Sequence, residues 1–80
     1  MHVLHDFFLG DIKITIFLWN GKYIIKMERD GMEQTLKVPE YEFRNEEDLL
    51  RILDPDLMTE SSARFDDMKR SLAGALQRNE

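Results

Sequence analysis

The side chains best suited to chemistry are His2 and His5 beside Asp6, and two carboxylate pairs, Asp54/Asp56 and Asp66/Asp67. Histidine and carboxylate groups serve as metal ligands or as acid–base catalysts near neutral pH. Their spacing argues against both uses. On a strand, His2 and His5 point to opposite faces and share no ion; on a helix, three apart, they would meet. Adjacent residues such as Asp66 and Asp67 do not face each other on a helix. Asp54 and Asp56 flank Pro55 and read as the start of a helix. No glycine-rich calcium loop, G-x-S-x-G elbow or phosphate-cradling loop is present. The chain has no cysteine, which removes disulfides, thiol nucleophiles and cysteine-ligated zinc or iron–sulfur. The expectation is a protein that is not an enzyme and holds no metal and no cofactor.

A second group of residues could bind rather than react. Phe17 and Trp19 offer aromatic platforms, and Lys13, Lys22, Lys26 and Lys37 offer cations. Bases stack on the first and phosphates follow the second in single-strand binders. Without the lysines, the same aromatics with Ile24, Leu4 and Phe8 would make an apolar contact patch. Which reading applies depends on the elements that place these residues.

Residues 12–19 alternate strictly: Ile12, Ile14, Ile16 and Leu18 on one face, Lys13, Thr15, Phe17 and Trp19 on the other. β-branched residues at period two predict a half-buried strand. Asn20-Gly21 follows, and both tolerate the positive φ that a type I′ turn requires. The two-residue turn sets Trp19 opposite Lys22, Leu18 opposite Tyr23, Ile16 opposite Ile25 and Ile14 opposite Met27. Every apolar residue of the first face then meets an apolar partner, so turn and pattern agree. Asp30-Gly31 repeats the device, pairing Ile25 with Leu36 and Tyr23 with Val38, and Pro39 closes the strand. Residues 2–9 fit either a short helix or a strand joined through Gly10-Asp11. The strand is preferred, because so short a helix is marginal. It would set Val3, His5, Phe7 and Leu9 against Leu18, Ile16, Ile14 and Ile12.

Past a connection in which Tyr41 and Phe43 tuck back onto the sheet edge, Asn45 caps a helix over about residues 46–53. Glu46, Glu47 and Asp48 put negative charge at its positive end. Asp54-Pro55 breaks it and starts another over about residues 56–76. The apolar stripe of that helix is Leu57/Met58, Ser61, Phe65, Met68, Leu72 and Ala75/Leu76. The expected fold is α+β: one domain over residues 1–80, with a three- or four-stranded antiparallel meander over about 2–9, 12–19, 22–29 and 32–38. The short helix and the longer amphipathic helix follow it and pack on one sheet face.

The formal net charge of the 80 residues is −5. Residues 12–38 hold five basic and three acidic groups, whereas residues 39–60 hold two basic and eight acidic ones. The acidity therefore sits in the connection and helix starts, and the sheet is mildly basic. Nothing approaches the roughly 20 apolar residues of a membrane span, and no secretory leader opens the chain. The expected location is cytoplasmic, without a membrane partner. A chain of this size buries only about 60–65% of its unfolded surface, which favours self-association as a further support.

In this register Phe17, Trp19 and Ile24, with Leu4 and Phe8, share the outer sheet face with Lys13, Lys22, Lys26 and Lys37, and Leu4, Phe17 and Ile24 form one cross-strand row. A contiguous patch of large apolar residues marks an interaction site. The first reading is a small interaction module, homodimeric or bound to another protein through this face; the bland one is that Tyr41, Phe43 or a helix covers it. The alternative function is single-stranded DNA or RNA binding. In element order, four strands and a helix, the chain resembles the Whirly and PUR single-strand binders, which implies that function for the aromatic and lysine-bearing face. Against it stand the net acidity and the pair Glu28 and Glu33, which face one another there.

Overall fold

A computed structural model describes residues 2–80. The fold is α+β. Four strands of eight residues each, β1 (His2–Leu9), β2 (Ile12–Trp19), β3 (Lys22–Arg29) and β4 (Met32–Pro39), form an antiparallel sheet in the order β1-β2-β3-β4. A three-residue 3-10 turn (Glu40–Glu42), α1 (Glu46–Arg51) and α2 (Pro55–Arg78) follow. The 3-10 turn has no counterpart in the sequence reading. The segment 2–9, legible as strand or helix, is a strand.

Turn chemistry sets the register. Asn20 and Gly21 have φ of 52° and 71°, the left-handed pair that a type I′ turn needs. Leu18 therefore pairs with Tyr23, Ile16 with Ile25 and Ile14 with Met27, and on the next strand Ile25 pairs with Leu36 and Tyr23 with Val38.

The first strand departs from expectation at one point. Leu9, Phe7 and His5 pair with Ile12, Ile14 and Ile16, but the register then shifts between Val3 and His5. Leu4 is the extra residue of a β-bulge, so Val3 lies opposite Phe17 and His2 opposite Leu18.

The core is one layer between sheet and helices: Ile12, Ile14, Ile16, Tyr23, Ile25 and Met27 from the strands, Leu49 from α1 and Phe65 from α2. Two caps position the helices. The side chain of Asn45 accepts from the Asp48 backbone N–H at 3.0 Å, and that of Asp54 accepts from Leu57 N–H at 2.8 Å. Asp48 also binds Arg44 Nε and Arg51, each at 2.9 Å, which ties the connection to α1. The hydrogen bond from Arg44 holds the Asp48 carboxyl below the usual carboxylate range. Phe43 turns back as expected and meets Tyr23 edge-on at 5.8 Å, but Tyr41 is 84% exposed. Burial pushes the Tyr23 phenol above its ordinary value.

The helix α2 starts beneath the β1–β2 turn and reaches β3 and β4 within ten residues. Gln34 donates to the Ser61 carbonyl at 2.9 Å, and Arg64 donates back to Gln34 at 2.9 Å. Arg29 lies over the Phe65 ring, 5.1 Å from its centroid, and donates to Ser62 Oγ at 2.9 Å and Asp66 at 2.6 Å. Its Nε is buried without a hydrogen bond, the Asp30 carboxylate standing 3.9 Å away. After Met68 the helix leaves the core. Leu72 and Leu76, expected on the packed stripe, are 55% and 63% exposed. A helix of 24 residues runs about 36 Å, and four strands side by side span only about 15 Å. A helix that crosses the strands must overhang. Among the described residues no helix is long and apolar enough to cross a membrane.

Candidate interaction surface

Both helices contribute to the core on one face of the sheet. The other face is built from alternate residues of all four strands. Its central cross-strand row is Val3, Phe17, Ile24 and Lys37. Trp19 lies opposite Lys22, and Phe8 opposite Lys13. Val3 is 51%, Phe8 66% and Trp19 49% exposed, and Phe17 and Ile24 between them are half-buried by their neighbours.

Of the residues assigned to this surface, Phe8, Phe17, Trp19 and Ile24 share it as the register requires. Leu4 does not. The bulge turns it to the other side, where it packs against the core, and Val3 takes its place in the row. Period-two counting cannot see a bulge, because one inserted residue reverses the facing of everything beyond it. Neither Tyr41, which is exposed, nor Phe43, which packs on Tyr23, covers the face.

The four lysines also reach it, in unequal states. Lys13 lies 3.8 Å from Asp6, and Lys26 lies 3.7 Å from Glu28. Among the described residues, Lys22 and Lys37 have no ion pair. With Asp6, Glu28 and Glu33 the face holds four cations and three anions, close to neutral. Glu28 and Glu33 are direct cross-strand partners.

The chemistry-bearing residues are dispersed. Against the expectation for a regular strand, the bulge puts His2, opposite Leu18, on the same side as His5, opposite Ile16; His5 bonds Glu46 of α1 at 3.0 Å, far in the chain but adjacent in space. Among the described residues no group of three His, Asp or Glu side chains converges as metal ligands would. Asp54 is a helix cap and Asp66 an Arg29 partner. Two features were not assigned from the sequence. One is the overhanging end of α2 with Leu72 and Leu76, foreseeable from helix length against sheet width. The other is a groove of about 620 Å³ between the β1–β2 turn and the first half of α2. Its lining joins residues some fifty positions apart, such as Leu9 and Met58, which no local pattern connects.

No protein-family model, curated protein or solved structure matches the chain.

Proposed function

We propose that the chain is a small non-enzymatic interaction module that self-associates through the outer sheet face, centred on Phe17, Trp19 and Ile24. The observation that carries this reading is the uncovered apolar row itself, with Trp19 in the next row beside it. Two global quantities support it. The accessible surface is 5673 Å², against about 5,000 Å² for a monomer of this mass. The radius of gyration is 14.6 Å, against about 12 Å for a compact chain of 80 residues. Both excesses leave more surface open to burial than a compact chain of this size would have. A two-fold contact would stack apolar row on apolar row, and the mixed charges around it allow Lys22 and Lys37 of one copy to meet acids of the other. The lack of cysteine suits a reducing compartment, and we assign the module to the cytoplasm.

Single-stranded nucleic acid is the second reading, favoured by the direct pairing of Trp19 with Lys22. A near-neutral face with two of its four lysines already paired gives it less electrostatic drive than phosphate binding demands. Size-exclusion chromatography with light scattering separates the outcomes. Self-association through this face predicts that Trp19→Ala lowers the oligomer mass at a fixed micromolar concentration. An unchanged mass refutes it. Quenching of Trp19 fluorescence by a short oligonucleotide at low salt, reversed at moderate salt, would favour the second reading instead.

A further inference from the structure

The two edges of the sheet differ. β1 carries the bulge at Leu4, which breaks the regular spacing of its backbone groups. β4 has no register shift, and its pairing with β3 runs unbroken from Met32 to Pro39. Asp30 and Gly31 have φ of 53° and 76°, a two-residue type I′ turn, so Arg29 and Met32 exchange both backbone bonds. Alternation then points the N–H and C=O groups of Met32, Gln34, Leu36 and Val38 at β3, and those of Glu33, Thr35 and Lys37 out of the sheet. The side chains of these last three are exposed. Pro39, next in the series, has no N–H to leave open. The overhanging end of α2 belongs to the layer on the core face and leaves the plane of this edge free. Charge adds a second feature. Glu33 stands directly opposite Glu28, and like charges so placed are destabilising. Lys26 lies 3.7 Å from Glu28, but among the described residues Glu33 and Lys37 have no ion pair.

We propose that β4 pairs antiparallel with β4 of a second copy, about a two-fold axis at Thr35, and joins the two sheets into one. In that register Glu33 meets the partner's Lys37, Thr35 the partner's Thr35, and Lys37 the partner's Glu33. The outward-pointing residues read acid, threonine, base, a series complementary to itself when reversed. Each of these pairs can exchange both N–H···O bonds, because the groups that point out of one copy face those of the other. The partner's Lys37 also relieves the Glu28–Glu33 repulsion that no cation within the chain offsets at Glu33. On the core side, Met32 comes opposite the partner's Val38 and Gln34 opposite the partner's Leu36. Every other register that keeps the outward groups bonded breaks the charge pairs, and the furthest set Glu33 on Glu33 or Lys37 on Lys37. The contact is separate from a stack through the outer face, which gives these backbone groups no partner.

Sedimentation equilibrium of Glu33→Lys and Lys37→Glu tests the proposal on the full chain. Both positions are exposed, and Glu33→Lys removes the clash with Glu28, so the single chain keeps its fold. Each change turns both attractive pairs into repulsive ones and should raise the dissociation constant about tenfold or more. The two variants mixed in equal amounts should associate about as tightly as the native chain, since every acid of one then meets a base of the other. The chain carrying both changes should do the same. A mixture as weak as the separate variants overturns the register, and a native chain that stays monomeric at high micromolar concentration overturns the contact. Amide hydrogen exchange gives a second readout. The N–H groups of Glu33, Thr35 and Lys37 should exchange severalfold more slowly well above the dissociation constant than well below it, in the native chain and in Trp19→Ala alike. Self-association without that slowing overturns the edge contact and leaves the outer-face reading standing. Slowing in a Trp19→Ala chain of unchanged mass supports the edge contact and refutes the outer face.

Discussion

Phe65 is the residue on which the sheet–helix contact rests most heavily, and Phe65→Ala states that in measurable form. The side chain is fully buried among the isoleucines of the sheet, with the Arg29 guanidinium 5.1 Å above its ring. Truncating a buried phenylalanine costs about 3–5 kcal/mol, through lost transfer energy and an unfilled cavity. The cation–π contact adds about 0.5–1 kcal/mol to what is lost. A chain of 80 residues has only about 4–12 kcal/mol of total stability, so the change removes a large part of it. At about 4–8 °C per kcal/mol for a domain this small, the melting temperature falls by at least about 12 °C. Circular dichroism at 222 nm, followed against temperature and urea, measures the loss. Association would stabilise the folded state by mass action, so both variants are compared with the native chain at one fixed concentration. In the otherwise native chain, Leu72→Ala makes the internal control: it lies two turns further along the same helix, is 55% exposed, and should shift unfolding within about 0.5 kcal/mol after correction for association. A Phe65→Ala loss below about 1 kcal/mol would refute the packing of α2 on this face. So would a Leu72→Ala loss as large as that of Phe65→Ala.

Arg29→Met should cost less than Arg29→Ala, because the long side chain covers Phe65 while its Nε is buried without a hydrogen bond; urea midpoints of the two variants decide it. Asp48 has a folded carboxyl pKa below its unfolded value, chiefly through the Arg44 hydrogen bond, so its contribution is present above the unfolded pKa and is lost as pH falls through the folded one. Asp48→Asn should therefore flatten the acid limb of stability as pH falls through and below the ordinary carboxylate range. Tyr23 shows the opposite sign, because burial raises its folded pKa: its contribution is complete below the unfolded value near 10 and is lost as pH rises through the folded one. In a spectrophotometric titration, the phenolate step removed by Tyr23→Phe should lie above the ordinary tyrosine range.

Much of the sheet was legible because two independent codes wrote the same register. Asn20-Gly21 and Asp30-Gly31 set two turns, and the Ile12/Ile14/Ile16 alternation demanded the pairings those turns impose. The caps Asn45 and Asp54 were equally local, each bonding a backbone N–H three residues on. What escaped was non-local. The bulge at Leu4 reflects a choice between two packings: His5 stays on the core side, bonded to Glu46, while Leu4 also reaches the core. Nothing within residues 2–9 encodes Glu46. The outer face was thus readable residue by residue except at its edge, where Val3 stands in for Leu4. The helical stripe was read correctly as a pattern and too generously as a contact, because periodicity reports which residues share a face and says nothing of where the sheet beneath them ends.

That last distinction separates the two halves of α2. Beyond Met68 the helix no longer packs on its own sheet, and leucines there contribute helix propensity rather than burial. Leu72 and Leu76 continue the stripe at four-residue spacing into solvent, on a segment whose charges are all basic. The first half, which does pack, carries the acids on its remaining surface. The apolar continuity and the charge reversal coincide within one turn, near Asp67 and Met68. Leucine is among the best helix formers, and a helix dipole favours acids near its start and bases near its end, so both features have reasons internal to the helix. The outer sheet face has no such internal reason: the Val3, Phe17 and Ile24 row lies uncovered across three strands, and only burial against something outside the fold would use it.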